Sequence, residues 1–80
     1  MRIDKFLKVS RLVKRRTVAK EMADQGRIKV NGRVVKSSYD VKIDDIIEVG
    51  YGAKTIKAKA LNIRETTKKA EASELYELVD

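Results

Sequence analysis

Eighty residues allow one domain at most, and the lack of any cysteine or histidine removes disulfides, thiol chemistry and the usual zinc ligands. The net charge of +7 is uneven: residues 1–36 carry +9 and residues 37–80 carry −2, an asymmetry that points to a polyanion partner for the first half. No apolar run reaches the length of a signal peptide or a membrane span, so the expectation is a cytoplasmic protein with no membrane partner.

Ile3, Phe6 and Leu7 recur at the i, i+3, i+4 spacing of an amphipathic helix. Asp4 sits in its first turn, where negative charge complements the helix dipole. The opposite face carries Arg2, Lys5 and Lys8, and Leu12 and Val13 anchor the connection that follows. A second helix begins near Arg15 to Thr17, with Val18, Ala19, Met22 and Ala23 as its apolar stripe. Gly26 closes it, as glycine does where φ turns positive.

The next stretch, RIKV-NG-RVVK, holds two alternating runs around Asn-Gly. That is the strongest short-range hairpin signal, because a type I′ turn needs positive φ at both central residues. Val30 then faces Arg33, Ile28 faces Val35, and Arg27 faces Lys36. Ile28, Val30 and Val35 share the core side, and Arg27, Lys29 and Lys36 share the other. A turn at Asp44 and Asp45 leads into a strand over Ile46 to Val49. The stretch GYGA makes a second turn, and TIKAKALNI a further strand with Ile56, Ala58 and Ala60 on one face. Thr66 or Thr67 caps a short helix from about Lys68 to Leu75, and Leu75, Tyr76, Leu78 and Val79 fold back onto the sheet.

The order α-α-β-β-β-β-α predicts an α+β fold: two N-terminal helices on a small, twisted, mostly antiparallel sheet, with a short C-terminal helix. Residues 1–80 read as a single domain, with a motif core over about 1–50 and a strand and helix over 51–80. Catalysis is not expected. There is no P-loop, VGYGA is too short to be a dinucleotide fingerprint, and Asp44 and Asp45 read as turn residues. No loop has the acidic spacing of a magnesium or calcium site, so no metal or cofactor is expected.

The basic residues converge from three places. Lys14, Arg15 and Arg16 precede or open the second helix, where free backbone N–H groups and the dipole favour an anion. Arginine adds planar, bidentate donors for phosphate. Arg2, Lys5, Lys8 and Arg11 come from the first helix, Lys20 from the second, and Lys29 and Lys36 from the hairpin. Arg33 stands at the hairpin tip. Thr17 either caps the second helix or offers its hydroxyl to a phosphate. Asn31 serves the turn first, with tip backbone placed to approach RNA. Few aromatics are exposed, so recognition by phosphate and shape is expected, as suits structured RNA. Arg16 is the leading candidate contact.

These residues carry a resemblance. MRIDKFL, then SRLVKRRTVAKEMADQGRIKVNGRVV, then the strand ending DDIIEV are similar to the RNA-binding domain first seen in ribosomal protein S-four. The shared pattern is an Arg-x-Asp start (Arg2, Asp4), an arginine heading the second helix (Arg15, Arg16), Gly26, and a basic strand ending Val30-Asn31-Gly32. It covers about residues 1 to 50. RIDKFLKVSRLVKRRTVAKE and RETTKKAEASELYELV extend the likeness to stand-alone bacterial members, the ribosome-associated heat-shock family and, nearer, the ribosome-associated quality control protein P family. The resemblance implies binding to large-subunit rRNA and tRNA. It implies stabilisation of P-site tRNA while an alanine-tailing quality-control factor extends a stalled chain. A monomer in solution is expected. Two positions depart from the pattern: Arg15 stands where a small residue is usual, and Asp44 where a glycine precedes the turn aspartate.

Other readings stay open: a general structured-RNA, ribosome-assembly or heat-shock factor, a DNA-binding helix-turn-helix protein, or a protein-interaction module. Against DNA, the exposed face of the second helix carries Glu21 and Asp24 beside Lys20.

Overall fold

In a computed structural model, which describes residues 1–65 and 68–79, two helices cover one face of a five-stranded antiparallel sheet. Helix α1 spans Ile3–Val9 and α2 spans Arg16–Asp24. Strands β1 (Ile28–Val30), β2 (Arg33–Val34), β3 (Ile46–Tyr51) and β4 (Lys54–Ala60) follow, then α3 (Lys69–Ala72) and β5 (Tyr76–Leu78). The strand order is β2-β1-β3-β4-β5.

No side chain caps the start of α1; a neighbouring segment does that work instead. Ile3 N–H donates to Tyr39 O (2.7 Å) and Asp4 N–H to Ser37 O (3.3 Å). Lys5 N–H donates to the Asp4 carboxylate (2.7 Å) and Phe6 N–H to Arg2 O (2.9 Å). All four first-turn donors of the helix are therefore satisfied. The helix ends at Val9 with Ser10 as its C-cap, and Arg11 just beyond takes the left-handed conformation at φ 62°. Ile3, Phe6 and Leu7 are wholly buried with Ala19, Met22, Ile28, Val30, Ile47 and Val49. Each large apolar side chain removed from water contributes about 1.5–3 kcal/mol.

The hairpin forms in the expected register. Val30 pairs with Arg33, and Val35 N–H donates to Ile28 O at 3.2 Å. Asn31 (φ 52°) and Gly32 (φ 84°) supply the two positive dihedrals of the turn. Ile28 and Val30 point into the core, so Lys29 projects from the sheet face away from the helices, paired in register with Val34 and Glu48.

Three expectations change. Val18 is 40% exposed rather than core: Ala19, Met22 and Ala23 suffice to seat α2, and Val18 lies off the buried stripe. β3 runs on through Gly50 and Tyr51, because those residues pair with Thr55 and Lys54. The last helix is only Lys69–Ala72 and gives way to a turn before Leu75, and the residues expected to fold back onto the sheet form a fifth strand over Tyr76–Leu78. Tyr76 and Leu78 pair with Ala60 and Ala58, and Leu75 is wholly buried while Leu78 stays exposed. The expected caps Thr66 and Thr67 lie outside the described residues. Among the described residues no helix is long and apolar enough to cross a membrane.

Candidate nucleic-acid interface

Asp4 organises the basic surface. It is an acid on an apolar stripe, three residues before Leu7, and it is 3% exposed. Arg2 grips it with two bonds, Nε to Oδ1 and Nη2 to Oδ2, both 3.3 Å. Arg16 Nε reaches Oδ1 at 3.4 Å from the first turn of α2. Arginines from two helices thus share one buried carboxylate, while about half of each side chain stays exposed. A guanidinium has five donors in a rigid plane. Arg16 turns its Nε edge to Asp4, and among the described residues neither of its Nη groups has an acidic partner. The start of α2 has no side-chain cap, so its backbone amides add to the attraction for an anion. Arg15 is the N-cap residue and Thr17 lies within the helix, so Thr17 does not cap it.

Two clefts meet at Arg2. One, of about 540 Å³, is lined by Arg2, Lys5, Arg16 and Arg64, with Ile63 and Glu65 on its far wall. The other, of about 560 Å³, runs from Arg2 past Ala23 and the acid Asp24 to Lys36 and the 34–38 segment. Together they make a basic strip from Arg64 through Lys5, Arg16 and Arg2 to Lys36. Lys5 is hydrogen-bonded to Glu65, and that lysine holds the Glu65 carboxyl below its ordinary range. Arg64 pairs with Glu74.

Other expected contacts lie elsewhere. Lys8 and Lys20 are exposed on α1 and α2. Lys29 is on the opposite face of the sheet, so it does not share a surface with Arg16. Arg33 is exposed beside the hairpin tip. Arg11, Lys14 and Arg15 line a third cleft with Val18 and Tyr51, and none of its lining residues belongs to the Arg16 cleft. The neighbours Arg15 and Arg16 thus serve different concavities.

Asn31 is committed to the fold. Its Nδ2 donates to Asp45 Oδ1 (3.1 Å), and its Oδ1 accepts from Ile46 N–H (3.0 Å). Asp45 also accepts from Tyr39 Oη (2.8 Å) and from Lys42 N–H (2.9 Å). The bond to this carboxylate, with burial second, raises the Tyr39 pKa above its ordinary value. Sequence reasoning took Asp4 and Asp45 for a dipole partner and a turn residue. A polar residue on a buried stripe was the available signal for Asp4. Arg64 was missed because its placement depends on how the C-terminal segment returns. No cluster of potential metal ligands is found among the described residues.

The S4 domain model matches residues 1–47. The chain is 54% identical over 79 residues to the RQC P-site tRNA stabilizing factor of Streptococcus pneumoniae, covering 99% of this chain and 90% of that protein. It is 53% identical over 79 residues to the factor of the same name from Bacillus subtilis, covering 99% and 92%. The trimeric structure of Vibrio cholerae Heat Shock Protein 15 superposes with a TM-score of 0.91 at 29% identity, covering 99% of this chain and 81% of that one.

Proposed function

Because this chain belongs to the S4 domain family, we propose that it is a non-catalytic RNA-binding protein of bacterial ribosome-associated quality control, acting in the cytoplasm. It grips the large ribosomal subunit's rRNA and a P-site tRNA, and holds that tRNA while a separate factor adds alanines to a stalled chain. The names of relatives about half identical over nearly the whole chain support the tRNA role. The observation that carries RNA binding is the pairing of Arg2 and Arg16 on Asp4. It ties two guanidinium groups, each on a half-exposed side chain, to one carboxylate beside a shared cleft. Clustered guanidinium donors of this kind suit the phosphates of a structured RNA. Lys5, Lys36 and Arg64 extend the strip, and Lys8 and Lys20 supply outlying charge.

Sedimentation through a sucrose gradient tests the reading. The protein should co-migrate with large subunits carrying peptidyl-tRNA. Its affinity should fall with salt by roughly 0.7–0.9 log units per phosphate neutralised for each log unit of salt. Exclusion from every ribosomal fraction would remove the ribosomal role, and affinity indifferent to salt would remove the electrostatic one.

A further inference from the structure

The third cleft, about 750 Å³, differs in chemistry from the basic strip. Its floor is Leu12, Val13, Val18, Ile56 and the ring of Tyr51. Its rim is Arg11, Lys14, Arg15 and Lys54, with no acid among the described residues that line it. Tyr51 is pinned, because its hydroxyl donates to Leu12 O. Val18 is held on the surface at 40% exposure although a polar residue would fit that helical position. Among the described residues Lys14, Arg15 and Lys54 have no acidic partner.

We propose that this cleft is a docking site for an acidic, amphipathic polypeptide segment of a partner protein, seated with apolar side chains on Val18 and Ile56 and carboxylates on the cationic rim. The chemistry separates it from a nucleotide site. A base needs a ring to stack on or a polar group to read its edge. Here the one ring is half-buried and its hydroxyl is already bonded, and the rest of the floor is aliphatic. Over that aliphatic floor a base edge would lose its water partners, and only donors on the rim, with no acceptor for its amino groups, would face it. Apolar side chains lose nothing on such a floor, and flanking carboxylates find cations of the matching sign. The proposal does not rest on the RNA reading, since Arg16, Lys5 and Arg2 line other clefts.

A labelled peptide of about twelve residues, with glutamate and leucine in helical alternation, is the probe. Oligoglutamate of equal charge and a short oligouridylate are the comparisons, with fluorescence anisotropy as the readout. The amphipathic peptide should bind at least about tenfold tighter than oligoglutamate. It should shift the amide resonances of Val18, Tyr51 and Ile56. Val18→Glu on α2 and Lys54→Glu on β4, both exposed, should each weaken the peptide by about tenfold or more. Circular dichroism and large-subunit binding should be unchanged in both variants. Equal binding of oligoglutamate, shifts confined to other residues, or no binding of the peptide would overturn the proposal. Displacement of the peptide by oligouridylate, with oligouridylate binding lost in Val18→Glu, would overturn it in favour of a nucleotide site.

Discussion

Arg16 Nε lies 3.4 Å from Oδ1 of Asp4, a carboxylate 3% exposed. The acid sits inside the most basic part of the chain, yet it orients the cations around it. Two accounts of binding therefore separate. If only total charge mattered, Asp4→Asn would strengthen RNA binding by removing a negative charge. If orientation matters, the same change frees Arg2 and Arg16 to rotate and weakens binding. The expected result is weakening by about tenfold, with a stability loss of about 1 kcal/mol from the lost charge-assisted bonds. Filter binding to large subunits, with urea melts as a control, decides the matter; a gain in affinity would remove the orienting role.

Arg16→Ala should weaken binding by about 1.5–3 kcal/mol, the range for a charge-assisted bond. The salt slope should fall by about one phosphate. Lys29→Ala is the informative contrast. Lys29 leaves from the far sheet face and pairs in register with Glu48, so its loss should cost less than about 0.5 kcal/mol. Equal losses would mean that the bound RNA wraps both faces.

Local signals made much of this surface legible. The Asn31-Gly32 turn fixed the hairpin register, and with it the split between buried Ile28 and exposed Lys29, because a type I′ turn leaves no freedom in pairing. The three-four spacing of Ile3, Phe6 and Leu7 gave helix α1. What the sequence could not show was which cations would meet. Arg15 and Arg16 are neighbours in the chain, but Arg15 is the extended N-cap and Arg16 the first helical residue, and they line different clefts. The C-terminal segment was legible only in part: Leu75, Tyr76, Leu78 and Val79 read as folding back onto the sheet, but the open edge of β4 is what turns Tyr76–Leu78 into a fifth strand. Tertiary context outweighs propensity in so short a segment.

Asp45 ties three elements together and should govern stability rather than binding. Asp45→Ala leaves the Asn31 amide, the Tyr39 hydroxyl and the Lys42 N–H without their acceptor. A loss of about 2–4 kcal/mol is expected on urea denaturation. A loss under about 0.5 kcal/mol would show that water replaces the carboxylate at no cost.

The bond from Tyr39 to Asp45 also sets a pH dependence. The carboxylate raises the tyrosine pKa, so the folded state favours the protonated phenol more than the unfolded state does. Its contribution is fully present below the ordinary tyrosine value of about 10 and is lost as pH rises through the folded value. Wild-type stability should therefore fall more steeply above about pH 10 than that of Tyr39→Phe. Urea melts of both proteins across that range provide the check, and parallel curves would remove the link.

Asp44 adopts φ 75° at the turn before β3, where glycine costs nothing and a side chain is strained. A left-handed residue with a Cβ costs roughly 1–2 kcal/mol, less for aspartate than for most. Its ion pair with Lys59, 3.6 Å and exposed, returns about 0–0.5 kcal/mol. Glycine would relieve the strain but adds about 0.4–1 kcal/mol of unfolded-state entropy. The balance favours Asp44→Gly by up to about 1 kcal/mol. Asp44→Ala keeps the Cβ and loses both the ion pair and the local tolerance of aspartate, so it should be less stable than the wild type. The measurement is the order of midpoints in thermal or urea melts: glycine, then aspartate, then alanine. Large-subunit affinity should be the same in all three, because Asp44 lines neither cleft of the basic strip. An alanine variant as stable as the glycine variant would show that the left-handed backbone carries no strain here.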